Sequence, residues 1–231
     1  MGVTLLFVHG AGGNHEIWEN QVKYFSNAIA IDLPGHDSGE GRRTIEEYVE
    51  DVKRFCDQKS LKNFVMVGHS MGGAITQKFA LTYPEYLRAI VLVSTGARLR
   101  VAPIIFEEIK RDYNNFLELM KEYAFSNKTP MEVRDKVAEL MRKVKPQVIY
   151  GDFEACDKFD VMGSLNRISL PTLIICGKDD LLTPVEYSEY LKANIRNSEL
   201  KVIADAGHMV MLEKPEEFNK ILREFLSSIE R

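Results

Sequence analysis

Gly68-His69-Ser70-Met71-Gly72 sets a serine between two glycines, and its flanks decide how it is read. The apolar run Phe64-Val65-Met66-Val67 precedes it. Gly73-Ala74-Ile75-Thr76-Gln77-Lys78-Phe79-Ala80 follows with helical composition. Strand, tight turn, helix is the order in which G-x-S-x-G carries chemistry. Only small neighbours tolerate the strained turn, which lifts the serine Oγ to the C-terminal edge of a sheet and the positive end of a helix dipole. The motif alone is weak; in this setting Ser70 reads as a nucleophile. The bland alternative is a turn serine whose hydroxyl caps the following helix.

Outward from this motif, short apolar runs alternate with longer amphipathic ones, as a parallel sheet with crossover helices requires. Strands are expected at residues 4–8, 28–31, 64–67, 90–93, 172–176 and 201–204. Thr44-Ile45-Glu46-Glu47 is a capping box opening a helix that runs to about residue 58. Residues 215–228 place Phe218, Ile221, Leu222 and Phe225 at helical spacing behind Pro215. The alternation breaks between about 97 and 167. Two or three helical patterns run there without a strand, one opened by Pro103 and one capped by Thr129-Pro130-Met131-Glu132. Phe106, Tyr113, Phe116, Met120, Tyr123 and Phe125 stud that stretch, divided in expectation between core packing and a pocket wall. The expected architecture is α/β: a mostly parallel sheet flanked by helices, with core 1–96 and 168–231 and a helical cap at 97–167.

Composition narrows the setting. At 231 residues the chain suits one such domain with an insertion. Its formal net charge of −4 comes from interleaved acids and bases, so no nucleic-acid or anionic-membrane partner is expected. No apolar run reaches the roughly 18 residues of a membrane span. Cys56, Cys156 and Cys176 are odd in number and lack metal-ligand spacing, which reads as buried reduced thiols. The chain opens directly on the strand-like Val3-Thr4-Leu5-Leu6-Phe7-Val8, with no cleavable leader visible. These observations point to a cytoplasmic protein with no metal, no cofactor, a small-molecule partner and an oligomeric state left open.

A serine hydroxyl needs a base to take its proton, and the base needs a third group to fix its tautomer and its charge. In sheets of this type the chain order is serine, acid, histidine. The fifth expected strand leads into Gly177-Lys178-Asp179-Asp180-Leu181-Leu182-Thr183-Pro184, the sixth into Asp205-Ala206-Gly207-His208. All three candidates, Ser70, Asp180 and His208, then meet at one sheet edge. Asp179 competes with Asp180, and the spacing to Pro184 favours Asp180. His9, His69 and Trp18 read as bracing or packing residues, Asp32 as a turn cap, and Met71 and Met209 as possible lining of an apolar pocket.

His9-Gly10-Ala11-Gly12-Gly13 with Trp18 and Gln21, Asp32-Leu33-Pro34-Gly35-His36, the Ser70 motif, Gly177-x-x-Asp180-x-x-x-Pro184 and Ala206-Gly207-His208 follow one another along nearly the whole chain. Together they resemble the α/β-hydrolase superfamily; Asp37 stands where its D-x-P-G-x-G turn has a second glycine. The resemblance implies Ser70 as nucleophile and His208 as general base, then acid. It implies Asp180 as the group orienting His208, and the backbone N–H groups of Ala11 and Met71 as the oxyanion hole. The reaction it implies is hydrolysis of carboxylic esters with small to medium apolar acyl chains, as in carboxylesterases, through an acyl-enzyme. Two alternatives stand beside it: carbon–carbon, lactone or thioester hydrolysis on the same triad, and a ligand receptor on a hydrolase scaffold. His69 favours the esterase, because carbon–carbon hydrolases of the superfamily often carry Asn at that position.

Overall fold

The computed structural model describes residues 2–229; Met1, Glu230 and Arg231 of the expected core lie outside the described residues. Six strands form one parallel sheet: β1 (Leu5–Val8), β2 (Ala28–Ile31), β3 (Phe64–His69), β4 (Leu87–Val93), β5 (Thr172–Gly177) and β6 (Ser198–Ile203), in the order β2-β1-β3-β4-β5-β6. Side chains of a strand alternate between faces, and here both faces are covered, so the inner strands are apolar at most positions, Arg88 of β4 being the charged exception. Leu5, Phe7, Val65, Val67, Val91 and Ile175 pack on one side with α1 (Glu19–Tyr24) and α10 (Pro215–Ile229). Leu6, Val8, Met66, Ile90, Leu92 and Ile174 pack on the other with α2 (Ile45–Gln58), α3 (Met71–Thr82) and α8 (Val185–Asn194). Cys56, Cys156 and Cys176 are free and buried.

The expected strands are all present, with shifted ends. β3 runs two residues further, to His69, and β4 starts three earlier, at Leu87. β6 lies three residues N-terminal of its expected start, because Ser198 and Glu199 pair through backbone groups with Thr172 and Leu173 and carry no hydropathy signal. Thr44 caps α2 as its capping box predicts, accepting the Glu47 N–H at 3.3 Å. The Glu47 carboxylate returns to the Arg43 N–H and the Thr44 hydroxyl, not to the Thr44 N–H.

Four helices, not two or three, run between β4 and β5: α4 (Pro103–Arg111), α5 (Tyr113–Tyr123), α6 (Met131–Arg142) and α7 (Pro146–Lys158). Their outer ends are clipped together by a bridge between Arg98 and Asp160 and by Val161 N–H donating to the Ala97 carbonyl at 2.8 Å. Pro103 opens α4 as expected. Thr129 does not cap α6: Pro130 holds that position, and the Thr129 hydroxyl donates to the Glu213 carboxylate of α9 (Val210–Glu213). A half-buried carboxylate under this segment competes for the hydroxyl better than a helix N–H that water can satisfy.

The strand order reverses between β1 and β3, and their C-terminal ends open the crevice where ligands of open α/β sheets bind. Gly10 and Ala11 follow β1, Ser70 follows β3, Asp180 follows β5 and His208 follows β6.

Candidate active site

The turn at Ser70 is set by crowding. A Cβ on Gly68 would overlap the Gly72 carbonyl oxygen and Thr76 Oγ1, and one on Gly72 would overlap the Val8 carbonyl oxygen. Without those atoms α3 starts directly on top of β1 and β3. Ser70 takes φ 53° and ψ −115°, a conformation costing on the order of 1–3 kcal/mol for a residue with a side chain. Backbone contacts hold it there: Ser70 N–H donates to the Val93 carbonyl at 2.9 Å, and its own carbonyl accepts the Thr95 hydroxyl at 2.8 Å. Ser70 sits at the N-cap of α3, yet its hydroxyl forms no capping bond, so the bland reading of a helix-cap serine fails. The N–H of Met71, the first residue of the helix, is one of the donors a helix start leaves without an intrahelical partner.

His208 and Asp180 lie together and buried, 5% and 3% exposed. His208 Nδ1 is 2.9 Å from Asp180 Oδ2 and 3.1 Å from Oδ1, so this nitrogen faces two acceptors and carries the proton. Asp180 also accepts the N–H groups of Leu182 and Thr183, each at 2.9 Å, and the Thr183 hydroxyl at 2.9 Å. Burial alone raises the Asp180 pKa. The charge of His208, its hydrogen bond and the Thr183 donors overcome that and hold it below the usual carboxylate value. Asp179 turns away, accepting the Ser126 hydroxyl at 2.6 Å. The bond from the Leu182 N–H, two residues on, is an Asx turn, and Thr183 follows it with a second N–H and its hydroxyl, a role that sequence reasoning missed.

His69 points away from the nucleophile, as expected. Its Nε2 lies 3.0 Å from the His208 carbonyl, and burial together with the nearby His208 ring lowers its pKa to about 3. The ring is therefore neutral and braces the backbone of its neighbour. His9 braces as well: Nδ1 donates to the Gly10 carbonyl at 2.8 Å, and Nε2 accepts the Leu33 N–H at 3.0 Å. Asp32 accepts the backbone N–H of His15 and faces its Nδ1, both at 2.7 Å.

A cavity of about 430 Å³ separates the sheet edge from the four-helix segment, a volume typical of small-molecule sites. Ala11, Ser70, His69 and His208 line it, although no hydrogen bond joins Ser70 to His208 among the described residues. Such bonds tighten when a substrate is bound. Among the aromatic and Met residues of the segment, Met120, Tyr123, Phe125, Met141 and Phe153 line the cavity. Phe116 is core, Phe106 meets Tyr150 edge to face with centroids 5.1 Å apart, and the Tyr113 hydroxyl donates to the Met141 carbonyl at 2.7 Å. Met209 lines the cavity too, but Met71 and Trp18 are buried in the core. Leu181, Leu182 and Tyr187 join the wall from the β5–α8 side, a contribution with no sequence signal of its own. Among the described residues no group of three or more His, Cys, Asp or Glu side chains is placed to hold a metal ion. No helix among them is long and apolar enough to cross a membrane.

The four-helix segment reaches both loops of the site. The Ala124 carbonyl accepts the His208 N–H at 3.0 Å, and Phe125 and Ser126 approach Gly207 so closely that a Cβ there would lie 2.6 Å from their backbone atoms. Glu213 ties the same junction, accepting the N–H groups of Ser126 and Gly207 at 2.9 Å each.

Comparison with known proteins finds close likenesses over nearly the whole chain. A thermophilic esterase of known structure is 37% identical, with a TM-score of 0.87 over 98% of this chain and 90% of that one. Est816, described as an N-acyl homoserine lactone degrading enzyme, is 28% identical, with a TM-score of 0.84 over 97% and 93% of the two chains. Monoacylglycerol lipase ABHD6 of Rattus norvegicus is 24% identical over 98% of this chain and 76% of its own length. The sequence model of the alpha/beta hydrolase family matches residues 5–221, and with that match the helix-flanked parallel sheet is accounted for: the chain belongs to the alpha/beta hydrolase family.

Proposed function

We propose that the protein is a serine hydrolase that cleaves carboxylic esters with small to medium apolar acyl chains. Ser70 Oγ attacks the ester carbonyl as His208 Nε2 takes its proton. Asp180 keeps the His208 proton on Nδ1 and stabilises the imidazolium that forms. The N–H groups of Ala11 and Met71 receive the oxyanion. Collapse of the tetrahedral intermediate expels the alcohol, protonated by His208, and leaves an acyl-Ser70 ester. Water deprotonated by His208 then releases the acid and restores Ser70.

The observation that carries this reading is the pairing of His208 Nδ1 with Asp180 on the wall of the cavity that Ser70 also lines. Apolar side chains on that wall favour an uncharged acyl group. A core of 1–96 and 168–231 under a cap of 97–167 accords with the clip between Arg98 and Asp160. The interleaved surface charge and the buried free thiols accord with a cytoplasmic setting.

Hydrolysis of p-nitrophenyl esters from acetate to palmitate tests the proposal, with Ser70→Ala alongside. Turnover is expected to fall about 10⁴-fold or more in the variant. The chain-length optimum measures the cavity. A folded protein that turns over none of these esters rules the reading out. Lactone hydrolysis is the second reading, favoured by the likeness to Est816; the same triad serves it, and acyl homoserine lactones are the substrates to try.

A further inference from the structure

Helix α7 delivers one carboxylate beneath the loop of residues 10–13. Asp152 is fully buried, and its Oδ2 accepts the Gly12 N–H at 2.9 Å across 140 positions of chain. The same oxygen lies 2.9 Å from His36 Nε2, and Oδ1 accepts the Tyr48 hydroxyl. The other nitrogen of His36, Nδ1, lies 3.2 Å from the carbonyls of Leu33 and Pro34. Both His36 nitrogens thus face acceptors alone, and only the imidazolium satisfies both. A charged pair with both side chains fully buried therefore stands beneath the loop of residues 10–13. Around it lie the His9 ring, with its centroid 4.5 Å from that of His36, and Cys156, one turn further along α7.

Within the loop, the bond from Gly13 N–H to the Gly10 carbonyl at 3.1 Å closes the turn. Gly12 occupies φ 66° against Met141 of α6 and Ile149 of α7. A buried ion pair of this kind contributes little net stability, and its best-attested use is to specify one arrangement.

We propose that Asp152 is a positioning residue for acyl transfer. By holding Gly12 N–H it fixes the peptide planes on which the Ala11 donor of the oxyanion hole depends. The inference rests on the esterase reading of Ser70. It makes the four-helix segment part of the catalytic geometry as well as the wall of the substrate cavity.

The test compares Asp152→Ala and Asp152→Asn on a p-nitrophenyl ester, with amide hydrogen exchange at Gly12 followed by NMR. Asp152→Ala should lower kcat on the order of 10²-fold with KM within about threefold, because an oxyanion donor acts in the transition state. Gly12 exchange should accelerate in the same variant. Asparagine can accept from Gly12 and His36 through Oδ1 while its amide donates to the Tyr48 oxygen, so Asp152→Asn should recover about tenfold or more of the lost rate. Phe79→Leu, a core truncation packed against Phe64, Tyr83 and Tyr86, should lose stability without losing kcat and so separates folding from positioning. A kcat for Asp152→Ala within about threefold of wild type overturns the inference. Unchanged Gly12 exchange overturns it too. Absence of Ser70-dependent turnover in wild type overturns the esterase reading and the catalytic role together. The exchange measurement still separates that outcome from a loop that Asp152 never held.

Discussion

The turn under Ser70 is built by its own neighbours, whereas the loops under Gly12 and His208 are held by a segment far away in the chain. Gly68, Gly72 and Thr76 crowd the serine into its conformation within a span of nine residues. Gly12 depends on Asp152, and Gly207 and His208 depend on Ala124, Ser126 and, through Glu213, on Thr129. Local crowding is a property of the fold itself and resists substitution by failing to fold. Long-range bracing by hydrogen bonds can be loosened while the sheet stays intact. The two regions should therefore break differently, one in stability and one in rate.

The largest effect is expected at the junction between them. In Asp180→Asn the amide can present N–H to His208 Nδ1 and shift the ring proton to Nε2. A fall in kcat of about 10³–10⁴-fold is expected, with the unfolding midpoint little changed. Steady-state kinetics beside urea unfolding decide it; equal loss of both would place Asp180 with the structural residues. Gly68→Ala should show the opposite signature, because no rotamer relieves the overlap with the Gly72 carbonyl. Loss of about 3 kcal/mol or more in urea unfolding is expected, whatever activity survives in the folded fraction.

Glu213→Gln probes the brace on the His208 side. The Ser126 N–H, Gly207 N–H and Thr129 hydroxyl all donate to this carboxylate, so a glutamine must turn its NH₂ toward a donor. About 1–3 kcal/mol of stability should be lost. A kcat reduced about tenfold is also expected, as for a displaced catalytic group. A stability loss with unchanged kcat would make this brace purely structural and confine the contrast to the Gly12 side.

A pH series sharpens the comparison further. Burial alone lowers the His36 pKa, but the charge and hydrogen bond of Asp152 overcome it and leave the value raised. A raised folded-state value means the proton is bound more tightly in the native state. Its stabilising contribution is full below the ordinary His value near 6.5 and fades as pH rises through the raised value. The stability of wild type over Asp152→Asn should therefore shrink between about pH 6 and the alkaline side of that value. A constant difference would show that the pair does not titrate with folding. The smallest effect is expected at the cavity wall. Leu181 is 63% exposed, so Leu181→Ser should raise KM for the longer esters by a few-fold at most, about 1 kcal/mol, and leave acetate untouched.

How much was legible follows from where each signal sits. Ser70, Asp180 and His208 each close a strand, and every strand announces itself by an apolar run, so their meeting at one edge could be read in advance. The capping box at Thr44 and the opening of α4 at Pro103 were equally local and stand in the structure. Thr129 resembled a cap by the same rule and is not one, because a carboxylate 84 positions later takes its hydroxyl. The ends of β6 escaped because an edge strand pairs through backbone atoms that leave no mark in side-chain hydropathy. The division of the segment's aromatic residues into core and cavity wall could not be read either, because helical spacing is the same for both.

Sequence alone determined the α/β class, the six strands, the family resemblance and the three side chains at the sheet edge, since each depends on residues adjacent in the chain or on a periodicity of two or 3.6. The tertiary structure decided what those side chains lean on. Asp152 is one of three acidic residues in α7, and nothing near it in the chain tells that it will lie buried beneath Gly12 beside His36. A buried carboxylate acquires its role from the donors that surround it, and those donors are brought together only when the four-helix segment closes over the sheet.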